Sequence, residues 1–337
     1  MSRELHPDDD SRAAFAAPIR MGLIGCGRMG FHHAERLRHR SDAEVTLLYD
    51  PARDNAERLR QQFQLSATII NDLSEIVQHQ SVDACIISSP TGLHYEQSRL
   101  CLENGLAVLC EKPLAHDPDQ IKELIVLSAG KKAPLSVAYQ RRSSREYRTL
   151  RREVLSGKWG KVRSISGHII EDWQSTIRGT WRDDPKANFG GFVGDAGSHK
   201  IDCLFYVTGL APEEVFAWTD FCGSQVEITA QVLARLTGDV RVSIDFIGNG
   251  QYLGEMIAVH CERGDVIVQD GDLFLAVENQ KRLLTDLELD STPVDEFLDQ
   301  LLHGKENIAP PECALPVLSM TRAILESGRT GRPQVIA

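Results

Sequence analysis

The sequence predicts two domains of different classes: a doubly wound α/β domain with a parallel sheet, then an α+β domain with a mostly antiparallel, open-faced sheet. In the first 140 residues, short apolar runs alternate with helical stretches, as in a parallel sheet covered on both faces. Later segments alternate apolar and polar residues with a period of two, which is typical of a sheet packed on one face. The chain has 337 residues, too many for one ordinary core.

The first half contains five short apolar runs that we predict to be strands. One intervening helix has a clear start, because Asp117 is a good N-cap and Pro118 suits the first helical position. We therefore divide the chain into an N-terminal tail at residues 1–18, an α/β domain at 19–140 and an α+β domain at 141–337. The predicted strands are 19–24, 45–49, 84–88, 107–110 and 136–139, and the helices are 29–38, 55–63, 94–103 and 118–129.

The second half alternates most clearly at residues 240–246, where Val240 and Val242 are separated by Arg241. A sheet with one open face commonly packs against a second subunit, so we expect a homo-oligomer, either a dimer or a tetramer. The predicted strands are 226–234, 240–246, 255–261, 265–268 and 273–277, and the helices are 143–156, 293–303 and 314–327.

Charge and composition exclude several classes of partner. The net charge is −11, and the densest arginine cluster, at residues 141–152, is interrupted by Glu146, as in a solvated helix face. Nucleic acid and anionic membrane surfaces are therefore not expected partners. No run of about 20 apolar residues predicts a membrane span. The eight cysteines lack C-x-x-C spacing and no His/Cys/Asp cluster has ligand spacing, so we expect a cytoplasmic protein without a metal.

A glycine-rich turn follows the first predicted strand and opens the first predicted helix. In its G-x-G-x-x-G spacing, Gly25 permits a tight turn, Gly27 lets the backbone approach a pyrophosphate, and Gly30 allows close packing of helix on sheet. The helix N-terminus supplies free N–H groups to the phosphates. The structural alternative is a tight turn with no ligand. The motif predicts a dinucleotide site formed by Gly25, Cys26, Gly27, Arg28, Met29 and Gly30.

Asp50 ends the second predicted strand, 20 positions after Gly30, close to the interval at which an acidic residue binds the adenosine ribose. Its carboxylate would repel a 2′-phosphate, so we expect NAD rather than NADP as the cofactor. Arg53 argues the other way, because a nearby arginine accepts a 2′-phosphate. The structural alternative is that Asp50 only caps a helix. Strand, glycine turn, helix and acid together indicate a Rossmann domain.

Three further segments, in this order along the chain, make the sequence resemble the Gfo/Idh/MocA oxidoreductases. They are Ser89-Pro90-Thr91 with His94, then Glu111-Lys112-Pro113, then Gly190-Gly191 followed by Asp195, Gly197, His199 and Asp202. The resemblance implies a Rossmann domain followed by a strand-rich domain, a cis peptide before Pro113, and a catalytic trio of Lys112, Asp195 and His199. It also implies cofactor contacts from Ser89, Pro90, His94, Glu111 and Lys112. Thr91 replaces the family's usual asparagine, so we expect an altered contact there.

The chemistry of the trio can be stated independently of the resemblance. Oxidation of an alcohol needs a base for the hydroxyl proton, and histidine suits this because its pKa lies near neutrality. His199 is the candidate base, although a lone histidine is more often structural. Asp195, four residues earlier, would face the same side if both lay on one helical turn. Lys112 follows a strand and can polarise the substrate oxygen.

The segment before the histidine motif is rich in polar groups and tryptophans, which suit sugar or cyclitol recognition because ring faces stack and hydroxyls need partners. The same residues could form an ordinary loop between domains. The predicted substrate-binding residues are Lys112, Asp172, Trp181, Arg182, Asp195 and His199, with Trp173, Asn188, Tyr139 and Arg142 as further candidates.

These observations predict an NAD(P)-dependent dehydrogenase or reductase that transfers hydride between nicotinamide and a hydroxyl or carbonyl of a sugar, cyclitol or related polyhydroxy compound. Two alternatives stay open. One is a hydrolase or lyase that retains NAD, and the other is a non-catalytic regulator that senses nucleotide. The exact substrate and the direction of the reaction do not follow from the sequence.

Overall fold

The computed structural model describes residues 15–77 and 81–336, so most of the tail predicted at residues 1–18 lies outside the described residues. Two β-sheets organise the described chain, one of six strands and one of nine. The predicted fold class is confirmed: the first sheet is parallel throughout, and the second is mostly antiparallel. Among the described residues, no helix combines the length and apolarity needed to cross a bilayer.

The six-stranded sheet has the order β3-β2-β1-β4-β5-β6, which is a doubly wound arrangement. Its strands are apolar on both faces because helices cover both: Leu23 and Ile24 are adjacent in β1, yet they belong to different cores. The two-residue β3 is too short to give a sequence pattern, and the sequence analysis does not predict it. The strands are β1 Ile19–Ile24, β2 Ala43–Tyr49, β3 Thr68–Ile69, β4 Ala84–Ile87, β5 Ala107–Cys110 and β6 Leu135–Val137.

The helices of the first half lie close to their predicted positions. The helix at Pro118 begins as expected, since the Asp117 side chain accepts a hydrogen bond of 2.8 Å from the Asp119 amide. It ends where Lys132 adopts a left-handed conformation, with φ of 52°. These helices are α1 Arg28–Leu37, α2 Arg53–Gln62, α3 His94–Glu103 and α4 Pro118–Lys131.

The nine-stranded sheet has the order β14-β13-β12-β11-β7-β10-β9-β8-β15. Its central strand, β7, runs parallel to β10 and antiparallel to β11. The predicted alternation in β10 is observed, because Val240 and Val242 are buried while Arg241 is exposed. The strands are β7 Val162–Ile170, β8 Pro212–Asp220, β9 Thr229–Leu236, β10 Val240–Ile247, β11 Gly254–Cys261, β12 Asp265–Gln269, β13 Asp272–Val277, β14 Gln280–Leu283 and β15 Gln334–Val335.

The helices of the second half include one that packs on the first sheet. The helix at Pro293–His303 buries Phe297 and Leu298 in the core on one side of the parallel sheet. Arg36 of α1 fixes it there through an ion pair of 2.5 Å with Asp295. The helices are α5 Arg145–Leu155, α6 Trp173–Ile177, α7 Gly191–Gly194, α8 Ser198–Thr208, α9 Pro293–His303 and α10 Ala314–Thr330.

A buried ion pair joins the segment after β6 to helix α8. Arg142 donates to both carboxylate oxygens of Asp202, at 2.7 to 3.1 Å, and Asp202 is fully buried. Arg142 also donates to the Ile308 carbonyl at 2.7 Å. Arg142 is therefore a packing residue at this junction, and its interpretation as a substrate-pocket candidate is wrong because its guanidinium is committed to these partners.

Candidate active site

The glycine turn lies between β1 and α1, at the carboxyl edge of the parallel sheet. Gly25 has φ of +92°, and a Cβ there would lie 2.6 Å from the Ser89 amide nitrogen. A Cβ on Gly30 would lie 2.3 Å from the Gly25 carbonyl oxygen, so this glycine lets helix and turn pack closely. Gly27 differs from both, because a Cβ on it would meet no described atom within 4 Å. Gly27 thus leaves open space beside the first amides of α1.

That open space fits a dinucleotide. Gly27 and Arg28 are exposed, Met29 is half-buried, and no side chain caps the first turn of α1. The N–H groups of that turn therefore have no side-chain partner, which is the arrangement that receives a phosphate. The Cys26 side chain is buried in the core, while its backbone amide is part of the turn.

Asp50, at the end of β2, holds the turn in place. One carboxylate oxygen accepts a hydrogen bond of 2.8 Å from the Cys26 amide. The other accepts from the Ala52 amide at 2.9 Å and from the Asn55 side chain at 3.2 Å. Asp50 is half-buried and lies beside the glycine turn, where the sequence analysis expects the ribose. Arg53 is turned to Asn71, to which it donates at 2.6 Å.

The segment after β4 lies at the same edge. The two ring nitrogens of His94 lie 2.8 Å from the carbonyl oxygens of Ser89 and Pro113, so His94 links this segment to the one after β5. Burial lowers the pKa of His94, although the two carbonyls favour the protonated ring. Ser89 donates to Gln97 at 2.5 Å, and Thr91 is buried at the start of a short 3₁₀ turn.

The segment after β5 supplies Glu111 and Lys112, and the Lys112–Pro113 peptide is cis. His33 Nε2 of α1 lies 2.9 Å from Glu111 Oε1, and both side chains are buried. Burial by itself raises the pKa of Glu111, but the hydrogen bond and charge of His33 and the charge of Lys112 hold it below its usual value. Sequence reasoning missed His33, because 78 positions separate it from Glu111 and no motif links them.

Lys112 reaches across to Asp195. Its Nζ donates to Asp195 Oδ1 at 2.7 Å and to the Asp195 carbonyl oxygen at 2.8 Å. Arg182 Nε donates to the other carboxylate oxygen at 2.8 Å. Burial opposes ionisation of Asp195, but the charges and hydrogen bonds of Lys112 and Arg182 outweigh it and lower the pKa. Asp195 is therefore an ionised carboxylate that fixes two cations, one from each half of the chain.

His199 lies beside this group. Neither ring nitrogen has a hydrogen-bond partner among the described residues, and Nδ1 is buried. The pKa of His199 is well below its ordinary value of 6.5, because burial disfavours the charged ring and Lys112 and Arg141 repel it, with Asp195 opposing them. His199 is thus neutral at physiological pH and has a free nitrogen, as a proton acceptor requires.

The structure does not place Asp195 and His199 on one helical turn. Asp195 follows the four-residue α7 and has non-helical dihedral angles, φ of −87° and ψ of −90°, whereas His199 is in the first turn of α8. The glycines around Asp195 explain the break, because a Cβ on Gly197 would lie 2.7 Å from the Val193 carbonyl oxygen. The two side chains are brought together by this tight turn rather than by helical periodicity.

The remaining predicted substrate residues lie in different environments. Arg182 belongs to the site through Asp195, and its guanidinium carbon lies 4.4 Å from the centre of the Trp181 ring. Asp172 is exposed and accepts a hydrogen bond of 2.6 Å from Ser175. Trp173 is buried against Phe192, with ring centres 5.5 Å apart. Trp173 is therefore a core residue.

The two other pocket candidates are Tyr139 and Asn188. Tyr139 is buried with its ring edge-on to His199, at 6.2 Å between centres. Asn188 is buried and donates to the Arg182 carbonyl oxygen at 2.7 Å, so it supports the loop that carries Arg182.

A second charged cluster lies behind His199, and the sequence analysis did not identify it. Lys200 is only 1% exposed, lies 3.1 Å from Glu255 of β11 and is hydrogen-bonded to the Tyr147 hydroxyl. Glu255 also pairs with Arg141, at 2.5 Å. Glu171, immediately after β7, is on the same sheet face as Glu255, because Glu255 pairs with Ile169, two residues before Glu171. No local pattern brings these residues together, because they come from four distant parts of the chain.

Two family models match the chain. Residues 19–139 match the oxidoreductase family model described as an NAD-binding Rossmann fold, and residues 147–267 match the Gfo/Idh/MocA C-terminal domain. Among curated relatives, the myo-inositol 2-dehydrogenase of Thermotoga maritima is 29% identical over 205 residues, which is 59% of this chain and 58% of that protein. The D-glucoside 3-dehydrogenase of Escherichia coli is 26% identical over 199 residues, 59% of this chain and 56% of that protein. The chain thus spans little more than half the length of these relatives.

Solved structures show the same fold over nearly the whole chain. An oxidoreductase domain protein from Kribbella flavida has a TM-score of 0.86 at 19% identity and covers 95% of this chain and 100% of its own. The WlbA dehydrogenase of Bordetella pertussis, in complex with NADH and UDP-GlcNAcA, has a TM-score of 0.82 at 21% identity. The match covers 95% of this chain and 98% of that chain. The two family models, together with the glycine turn and the Glu-Lys-Pro segment, show that the chain belongs to the Gfo/Idh/MocA oxidoreductase family, with an N-terminal NAD-binding Rossmann fold.

Proposed function

We propose that this protein is an NAD-dependent dehydrogenase or reductase that acts on a CH–OH group of a sugar, cyclitol or related polyhydroxy compound. The observation that carries the proposal is the placement of Lys112, held by Asp195, beside a neutral His199 at the carboxyl edge of the NAD-binding sheet. The names of the curated relatives, an inositol dehydrogenase and a glucoside dehydrogenase, support the same substrate class.

In this mechanism each member of the trio has one task. NAD, when bound, supplies the nicotinamide that accepts a hydride from the substrate carbon. His199 takes the hydroxyl proton, because its half-buried ring is neutral and has no hydrogen-bond partner among the described residues. Lys112 places its ammonium group on the same oxygen and stabilises the negative charge that develops there. Asp195 is a positioning residue for Lys112, since it fixes the ammonium group and stays ionised through its contact with Arg182.

The cofactor would be held by the predicted residues at the sheet edge. The uncapped first turn of α1 and the space beside Gly27 suit the pyrophosphate. Asp50 suits the adenosine ribose and disfavours a 2′-phosphate, so we propose NAD over NADP. We also propose that residues 19–140 form the cofactor domain and residues 141–337 the substrate and oligomerisation domain, with α9 returning to pack on the former.

We also propose that the protein is a homo-oligomer and is located in the cytoplasm. An apolar patch on the outer face of the second sheet, formed by Phe216, Trp218 and Leu233, supports a homo-oligomer, because Trp218 and Leu233 are 60% and 52% exposed. We name this patch the open face. The eight cysteines are all free thiols, which supports a cytoplasmic location.

The decisive experiment is turnover against a panel of sugars, inositols and their lactones or ketones, followed by nicotinamide absorbance with NAD and NADP in parallel. Lys112→Ala and His199→Ala should each lower kcat by about 10²- to 10⁴-fold, the usual range for loss of a proton-transfer or charge-stabilising group. The dissociation constant for NADH should stay within about threefold. His260→Ala, in β11 and paired with Asp265 at 3.2 Å, is the matched control. Near-normal turnover in both site variants would refute the mechanism.

A further inference from the structure

Glu171 has an anchored backbone and an unpartnered side chain. Its amide donates to the Ile247 carbonyl at 2.9 Å, and its carbonyl accepts from the Gly250 amide at 2.9 Å, so the residue is fixed just beyond the end of β7. Its side chain is half-buried and has no hydrogen bond or ion pair with any described residue. Polar groups with restricted access to water normally have partners, so the free carboxyl needs an explanation.

Glu171 is on the same face of the second sheet as Glu255, because Glu255 pairs with Ile169 and side chains two positions apart along a strand share a face. Burial raises the pKa of the Glu171 carboxyl, and the charge of Asp195 raises it further, while Lys112 and Arg141 oppose this. The influence of Glu171 is mutual, since it also contributes to the raised pKa of Arg141. The structure therefore places Glu171 on the side of the second sheet that carries the Glu255–Arg141 pair, where its charge acts on Asp195, Lys112 and Arg141.

The nearby cations are all bound to other carboxylates, which is why Glu171 stays unpaired. Lys112 and Arg182 share Asp195, at 2.7 and 2.8 Å. Arg141 is held by Glu255 at 2.5 Å, and Glu255 is itself fixed from behind by the buried Lys200. Glu171 therefore remains an acceptor without a donor in a partly desolvated site.

We propose that Glu171 accepts a hydrogen bond from a second substrate hydroxyl, beside the one held by Lys112 and His199, and so selects substrates that carry this neighbouring hydroxyl. This inference rests on the proposed function. A carboxylate makes charge-assisted hydrogen bonds, and a site that bonds a hydroxyl discriminates strongly against an analogue that lacks it. The adjacent Asp172, which the sequence analysis selected, is exposed and bonded to Ser175 instead.

The test compares D-glucose with 2-deoxy-D-glucose, and myo-inositol with its monodeoxy analogues. For each pair we would measure kcat/KM and the equilibrium binding of the sugar to the enzyme–NADH complex. The wild type should prefer the compound with the full set of hydroxyls by at least about tenfold in one pair. Glu171→Leu should reduce this preference to below about threefold by weakening only the hydroxylated compound, and Glu171→Gln, which keeps a neutral acceptor, should give an intermediate value.

Glu306→Leu, at an exposed glutamate outside the site, is the matched control and should keep the wild-type preference. NADH affinity and Tm should match the wild type in every variant. Turnover with an unchanged preference in Glu171→Leu would overturn the inference and leave the proposed function intact. If the wild type neither binds nor oxidises any compound of the panel, both fail. Binding without turnover still tests the inference, because the preference is then read from the binding constants.

Discussion

At the scale of single residues, two carboxylates organise the site, and each of them pairs with two cations. Asp195 pairs with both Lys112 and Arg182, and Glu255 pairs with both Arg141 and Lys200, so each group keeps a net positive charge. Burial, together with the cations around it, lowers the pKa of His199 and keeps its ring neutral, although the protein as a whole has a net charge of −11. Local arrangement, and not net charge, therefore sets the protonation of the base.

A pH profile follows from this electrostatic arrangement. Because the pKa of His199 lies well below 6.5, the neutral base persists through neutrality, and kcat/KM for oxidation should fall only as the pH drops below that value. Arg141→Gln removes a cation that lowers this pKa, so the acid limb should move to higher pH, by about half a unit to one unit. Arg163→Gln, at an exposed arginine of β7, should leave the limb in place. An acid limb that does not move in Arg141→Gln would contradict this prediction.

Asp50 gives a second prediction at this scale. Asp50→Ala removes the carboxylate that should repel a 2′-phosphate, so the ratio of kcat/KM for NADP to that for NAD should rise, by about tenfold or more. The same change removes the acceptor for the Cys26 and Ala52 amides, so the affinity for NAD should fall as well. Kinetics with both cofactors measure the ratio, and a ratio equal to that of the wild type would remove Asp50 from the ribose site.

At the scale of elements, the bounds of a helix or strand could be predicted where local sequence signals mark it fully. The sequence analysis predicts α9 at 293–303, which are its observed bounds, and in the structure a cap, a proline and a glycine define its two ends. The Thr292 hydroxyl accepts from the Asp295 amide at 3.2 Å, and Gly304 adopts a left-handed φ of 65°. Strand β8 was missed for the opposite reason: Val215 and Ala217 face the core while Phe216 and Trp218 lie on the other face, so no apolar–polar alternation marks it.

We expect two glycines of the turn to have different roles, with Gly30 needed for packing and Gly27 for binding. Gly30→Ala would place a Cβ 2.3 Å from the Gly25 carbonyl oxygen, so this variant should lower the Tm by several degrees or fail to fold. Gly27→Ala meets no described atom within 4 Å, so its Tm should stay near that of the wild type, while its dissociation constant for NADH should rise by about tenfold or more.

Gly130→Ala, within α4 and with open space around its Cβ, is the control for the turn. It should keep cofactor affinity and raise the free energy of unfolding by about 0.5–1 kcal/mol, since alanine favours a helix over glycine. Thermal unfolding and NADH titration of all three variants make the comparison. If Gly27→Ala lowers the Tm as well as the affinity for NADH, then Gly27 serves packing instead.

At the scale of the whole molecule, we propose that the open face mediates self-association. Trp218 is 60% exposed and its ring lies edge-on to Phe216, with centres 4.7 Å apart. Trp218→Asp places a charge on this apolar patch, so it should convert the wild-type oligomer to monomers in light scattering at micromolar concentration. Leu289→Asp, at an 84% exposed position outside the open face, should keep the wild-type mass. A monomeric wild type would overturn the proposed assembly.

The features that could be predicted from the sequence are those that depend on neighbours along the chain. Strand and helix periodicity, the glycine turn and the cap at Asp117 are local, so the doubly wound sheet and the edge that carries Gly25, Asp50 and Lys112 could be predicted. Parallel strands bring their carboxyl ends to one edge, and this rule predicts that Lys112 lies at that edge with Gly25 and Asp50.

The tertiary structure alone decided which side chains meet across long separations. The pairs His33–Glu111, Arg142–Asp202 and Lys200–Glu255 join distant segments, and none has a local signature. The adjacent carboxylates Glu171, which is half-buried, and Asp172, which is exposed, likewise differ because of the packing at the end of β7. The physical reason is that backbone hydrogen bonds and apolar periodicity act over a few residues, whereas the pairing of buried charges is fixed only when the sheets pack.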